Sequence, residues 1–97
     1  MYKATKEQIE QWKKQYDAVF KISCPTRKLV AYCHNPSRQQ MSYISSVKDP
    51  VKFNEALLKA CWIDGDMEIQ TSDTVFMGLA PQIAELMHAE EVKLEKL

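Results

Sequence analysis

Phe20-Lys21-Ile22-Ser23-Cys24-Pro25-Thr26-Arg27-Lys28-Leu29-Val30-Ala31-Tyr32-Cys33-His34-Asn35-Pro36 is the stretch that decides the fold. Phe20, Ile22 and Cys24 alternate with Lys21 and Ser23, the two-residue period of a half-buried strand. Pro25-Thr26 breaks the run. From Arg27 to His34 a second β-favouring segment follows, closed by Asn35-Pro36, a turn or helix-start dipeptide. Two short strands around a tight turn predict an antiparallel β-hairpin. A lone hairpin is marginal in water, so it must rest on helices or join a larger sheet.

The flanking sequence supplies helices. Thr5-Lys6-Glu7-Gln8 has the form of a capping box, and Ile9, Trp12 and Tyr16 follow at steps of three and four, predicting a helix over 6–17. Ser37-Arg38-Gln39-Gln40 is a second capping box, with Met41, Ile44 and Val47 as its stripe. Asp49-Pro50 is the sharpest boundary: Asp caps, and Pro takes the first helical position, where its missing N–H costs nothing. Phe53, Ala56, Leu57, Ala60 and Cys61 then mark a strongly periodic helix that delivers Trp62 and Ile63 to its end.

Asp64-Gly65-Asp66 reads as a turn, and Met67 and Ile69 as a short extended piece. Thr71-Ser72-Asp73 suits the cap of a long final helix with Val75, Phe76, Leu79, Ile83, Leu86 and Met87 on its apolar face. Gly78 and Pro81 should kink or break it. Residues 89–97 keep helical propensity but are thinly apolar, a tail that projects or frays unless a partner covers it. The expected fold is α+β and mostly helical: an N-terminal helix, a short hairpin, then two or three helices with a long C-terminal one, in a single domain over 1–97.

Composition narrows the function. Thirteen basic and thirteen acidic residues give a formal net charge of zero, and Lys13, Lys14, Arg27, Lys28, Lys93 and Lys96 are spread among acids. Phosphate affinity comes from clustered basic excess, so nucleic acid is not the expected partner. No stretch approaches the roughly 18–20 apolar residues that span a bilayer, and Met1–Glu7 lacks the apolar core of a secretion signal. Three unpaired cysteines suit reduced thiols, and the expected location is cytoplasmic.

Reactive groups do not converge in the sequence. Cys24, Cys33, His34, Cys61 and His88 include zinc ligand types but no closely spaced pair. In Asp64-Gly65-Asp66-Met67-Glu68 the glycine and the distal Glu fall at the wrong positions for a calcium loop. Cys33 and His34 are adjacent in a strand and so point to opposite faces, which denies a thiol its base. No enzyme activity, metal or cofactor is expected. What remains is surface complementarity, with adaptable apolar residues as anchors. Phe53, Trp62 and Phe76 suit a small core, with Trp62 the partner contact if its ring proves to lie at the surface. Met77, Met87 and Tyr2 lie less clearly on the main stripes, and with Trp62, Val92, Leu94 and Leu97 are the candidate partner-binding residues.

One order of elements stands out: the hairpin strand Lys28–His34, then Asn35-Pro36, the polar helix Ser37–Tyr43, the segment Asp49-Pro50-Val51-Lys52-Phe53-Asn54-Glu55-Ala56-Leu57-Leu58-Lys59-Ala60-Cys61-Trp62, an acidic turn and a final helix. This order resembles the small tail assembly chaperones of long-tailed bacteriophages and related small proteins of gut bacterial phages, over most of the chain. The resemblance implies a non-enzymatic role in the host bacterial cytoplasm. There the protein would cover apolar helices of the tape-measure protein and help recruit tail-tube proteins. It also implies that a longer frameshifted product can accompany the short chain. Homo-oligomerisation is compatible with it. The alternative is another phage-encoded interaction protein, a structural virion component or an inhibitor of a host defence protein.

Overall fold

The computed structural model describes residues 2–97. Helix α1 (Lys6–Gln15) leads into strands β1 (Val19–Cys24) and β2 (Leu29–His34). Helices α2 (Arg38–Ile44) and α3 (Pro50–Cys61) follow, then strand β3 (Trp62–Gly65). The short α4 (Glu68–Thr71), α5 (Asp73–Leu79) and a 3-10 helix (Ala80–Leu86) complete the order. Five α-helices and a three-stranded antiparallel sheet make an α+β fold that is 49% helical.

The caps sit where the sequence predicts them. Thr5 accepts from the Gln8 N–H while the Gln8 side chain accepts from the Thr5 N–H, and Ser37 and Gln40 repeat the exchange. The Asp49 carboxylate accepts from the N–H groups of Val51 and Lys52, with Pro50 opening the helix. Each cap satisfies donors that the first helical turn leaves free.

The hairpin is present and is not alone. Val19 pairs with His34 and Cys24 with Leu29, and β2 is also paired to β3, placing it centrally in the order β1-β2-β3. The sequence predicts only two strands, because Trp62-Ile63-Asp64-Gly65 is short and reads as a helix end running into a turn. Pairing explains the difference: Gly65 lies opposite Ala31, Asp64 opposite Tyr32 and Trp62 opposite Cys33, with a bulge between Tyr32 and Cys33. Gly65 has φ 149°, and a Cβ there would lie 2.4 Å from the Ala31 Cα and 2.7 Å from the Val30 carbonyl oxygen. Only glycine lets the two backbones approach this closely.

Strand β2 is covered on both faces. Cys33 and Ala31 point into clusters with Ile44, Leu57, Leu58, Cys61, Ile69 and Val75. Val30 and Tyr32 point the other way, against Ala4, Ile9, Trp12 and Ile63. The layers are therefore helix, sheet and helices. This is why β2 is a continuous apolar run while β1, half-covered, alternates. Ile69 is fully buried and sits in α4, not in the extended piece predicted for it, because its packing against Ala31 and Val75 favours one turn of helix.

The long C-terminal helix is a correction. From Asp73 to Leu86 the helical segment is only 14 residues, and its second half is 3-10. Pro81 has no N–H to give to the carbonyl of Met77, so the α-ladder cannot continue through it. Beyond Met87 no helix forms at all: residues 88–97 carry no regular structure. Helical propensity without packing is not enough for a segment this short.

Candidate functional site

The predicted anchors do not form one surface. Met77, on α5, is 58% exposed, and Val92 and Leu94 are 85% and 100% exposed on the irregular tail, with Leu97 beyond them. Met87 and Trp62 are half-buried and pack against the main core, so neither is free to act as a surface anchor. Trp62 begins β3, and that pairing turns its ring inward. Tyr2 is also engaged: its hydroxyl donates to Asp64 at 2.9 Å and its ring meets Tyr32 edge-on.

The structure instead brings together residues that the sequence does not single out. A groove of about 380 Å³ runs between β1 and the α5–3-10 segment. Phe20, Ile22, Val75, Leu79, Ile83 and Leu86 give it an apolar lining. Lys21 and Ser23 line it as well, although they pair with Tyr32 and Val30, whose side chains lie on the opposite face of the sheet. Five consecutive strand residues can border one groove only if the outer backbone edge of β1 opens into it. Among the described residues no strand pairs with that edge.

Across the groove stands Gly78. A Cβ added there would meet no other described atom within 4 Å, and its backbone needs no glycine. Glycine inside a helix costs about 0.5–1 kcal/mol relative to alanine. The internal packing of the fold gives no reason for that cost. The sequence signal was visible, but Gly78 reads there only as a helix interruption beside Pro81.

Charge marks the groove at both ends. Arg27, at the β1–β2 turn, donates to Ser72 at 2.9 Å and reaches Glu68 at 3.5 Å, remaining partly exposed. Glu85 stands at the other end with Leu86, and Phe20 packs with that end of the core while Cys24 packs near Val75. The chain direction of α5 and the 3-10 helix is therefore opposite to that of β1.

Reactive side chains stay apart. Cys33 and Cys61 are fully buried in the main core. Burial pushes the Cys33 thiol up to about 12, with a smaller contribution from Cys61, and the Cys61 thiol up to about 11. Both are protonated at neutral pH and are poor nucleophiles. His34 lies on the other face of β2, stacked on Tyr16 at 4.0 Å, with Nδ1 2.7 Å from the Asn35 carbonyl oxygen. A second, shallow polar hollow beside it is lined by Tyr16, Asp17, Asn35 and Gln40. Among the described residues no group of three or more His, Cys, Asp or Glu side chains is placed to hold a metal ion. Nor is any helix among them long and apolar enough to cross a membrane.

No family model, curated protein or solved structure matches the chain.

Proposed function

We propose that this protein acts by binding another protein, holding an apolar segment of it in the groove between β1 and α5. One observation carries the reading. The groove joins an unpaired strand edge to an apolar lining and a helix glycine that the fold itself does not need. Recognition of this kind draws affinity from backbone hydrogen bonds and specificity from alternate side chains seated in the lining. The order of elements that resembles phage tail assembly chaperones makes the tape-measure protein the client. Segments of such a long chain that have not yet folded into their helices offer both free backbone groups for the β1 edge and apolar side chains that Phe20, Ile22, Leu79 and Ile83 can cover.

Gly78→Leu provides the test, because a side chain starts there in open space at the groove wall. Co-expression with a long helical tape-measure protein encoded in the same genome should give a soluble complex. Gly78→Leu should weaken that complex at least about tenfold, the effect of filling a central pocket, while the melting temperature stays level or rises. An undiminished complex with Gly78→Leu, or no complex with the unaltered chain, would refute the assignment.

A further inference from the structure

The groove has a second candidate occupant in the chain itself. Val92-Lys93-Leu94-Glu95-Lys96-Leu97 alternates apolar and charged residues at its start, as a strand does, and its apolar side chains are almost wholly exposed. Instead of turning back, the segment projects. The radius of gyration is 14.7 Å and the longest axis 54 Å, against about 12.5 Å for the radius of a compact chain of this length.

Charge selects the direction of pairing. Laid antiparallel to β1 with Leu94 opposite Ile22, the segment puts Val92 opposite Cys24, both facing the groove. Glu95 then falls opposite Lys21 on the outer face. Lys96 falls opposite Phe20, at the end where Glu85 stands, and Glu90 and Glu91 reach the end held by Arg27. Glu95 and Lys21 are directly opposed unlike charges, which cross-strand neighbours favour, and the other two matches bring unlike charges together at the ends of the groove. Laid parallel with Leu94 still opposite Ile22, the segment would set Lys93 against Lys21.

A molecule's own tail enters most directly the parallel way, because the antiparallel course would need residues 87–91 almost fully extended back along the groove. It leaves Leu86 at the Phe20 end of the groove and would have to run alongside β1 in the same sense. We infer that the antiparallel occupant is the segment Val92–Leu97 of a second copy. Each copy adds a fourth strand to the sheet of the other. The exchange is reciprocal and closes as a two-fold dimer. It rests on the reading of the groove as a protein-binding site and names the partner that fills it when no client is bound.

Four samples test this: the full chain, the chain ending at Ala89, the chain carrying Lys21→Glu, and the chain carrying Lys21→Glu with Glu95→Lys. Analytical ultracentrifugation should find the full chain dimeric in a concentration-dependent way. The shortened chain should be monomeric with a melting temperature within about 2 °C of the full chain, since its missing residues bury little. Lys21→Glu should weaken the dimer about tenfold, and adding Glu95→Lys should restore it, as expected for two symmetry-related exposed cross-strand pairs.

A full chain that stays monomeric, or a dimer that survives loss of residues 90–97, would overturn the inference. So would a monomer with amides of 92–97 protected from exchange, which would put the molecule's own tail in the groove. Because the shortened chain keeps the groove, it should still bind the tape-measure client, so failure of the dimer and failure of the client reading are separable.

Discussion

Strands β1 and β3 flank the same central strand, yet the two edges of the sheet are finished differently. β3 is four residues long, bulged against β2, and tethered to β2 just beyond its end. Asp66, just past it, accepts from the N–H of Val30 at 2.8 Å and of Tyr2 at 3.1 Å through one carboxylate oxygen, while its own N–H donates to the Val30 carbonyl. β1 is six residues long and regular, with one lysine and no cover on its outer side. Short, bulged or covered edges are how proteins prevent unwanted strand addition. The fold keeps β3 short and bulged and leaves the regular β1 edge open beside an apolar groove.

The contrast can be broken most forcefully at Gly65. Gly65→Ala forces a Cβ into the Ala31 backbone at a φ that alanine disfavours. Overpacking and backbone strain together should cost about 3–5 kcal/mol, lowering the melting temperature by more than 10 °C. A drop of less than about 4 °C would mean that β3 can separate from β2 cheaply, and that the closed edge is not closed.

Asp66 sharpens the same point through pH. The hydrogen bonds from the Val30 N–H and then the Tyr2 N–H hold its carboxyl below its ordinary value of 3.8, outweighing a smaller opposing effect of burial. The charged form is favoured by folding, so its contribution is complete above the unfolded value and is lost as pH falls through the lower folded one. Urea midpoints between about pH 5 and pH 2 should therefore fall less steeply in Asp66→Asn than in the unaltered chain. Identical slopes would detach this carboxylate from the stability of the β3 edge.

The smallest effect lies at the turn leading out of the open edge. Lys28 has φ 57°, a left-handed conformation that costs a non-glycine residue about 1 kcal/mol. Lys28→Gly should recover part of that, raising the melting temperature by a few degrees without altering client binding. A lowered melting temperature would show that the lysine side chain contributes more than its backbone costs.

Much of this was legible in the residues, and what was not has a physical reason. Caps and periodic helices are local, so Thr5, Ser37 and Asp49 announce them. The hairpin is local too. β3 was hidden because four residues ending in Asp-Gly carry the marks of a turn, and their pairing depends on β2 some thirty residues earlier. The groove was illegible for the same reason: its two walls are far apart in sequence, and Gly78 signals absence of a side chain rather than presence of a partner. The tail keeps helical propensity in the sequence, but with so few apolar residues to pack it forms no helix.

The pairing of Ala31 with Gly65 also has a consequence in time. β1 and β2 are joined by a tight turn and can zip as soon as both exist, whereas β3 must wait for α2 and α3 to be made. Long loops close at greater entropic expense and more slowly. Every newly synthesised molecule therefore passes through an interval in which β2 is as unguarded on its inner side as β1 remains on its outer side. Crowding of nascent copies on one messenger would be most hazardous in that interval.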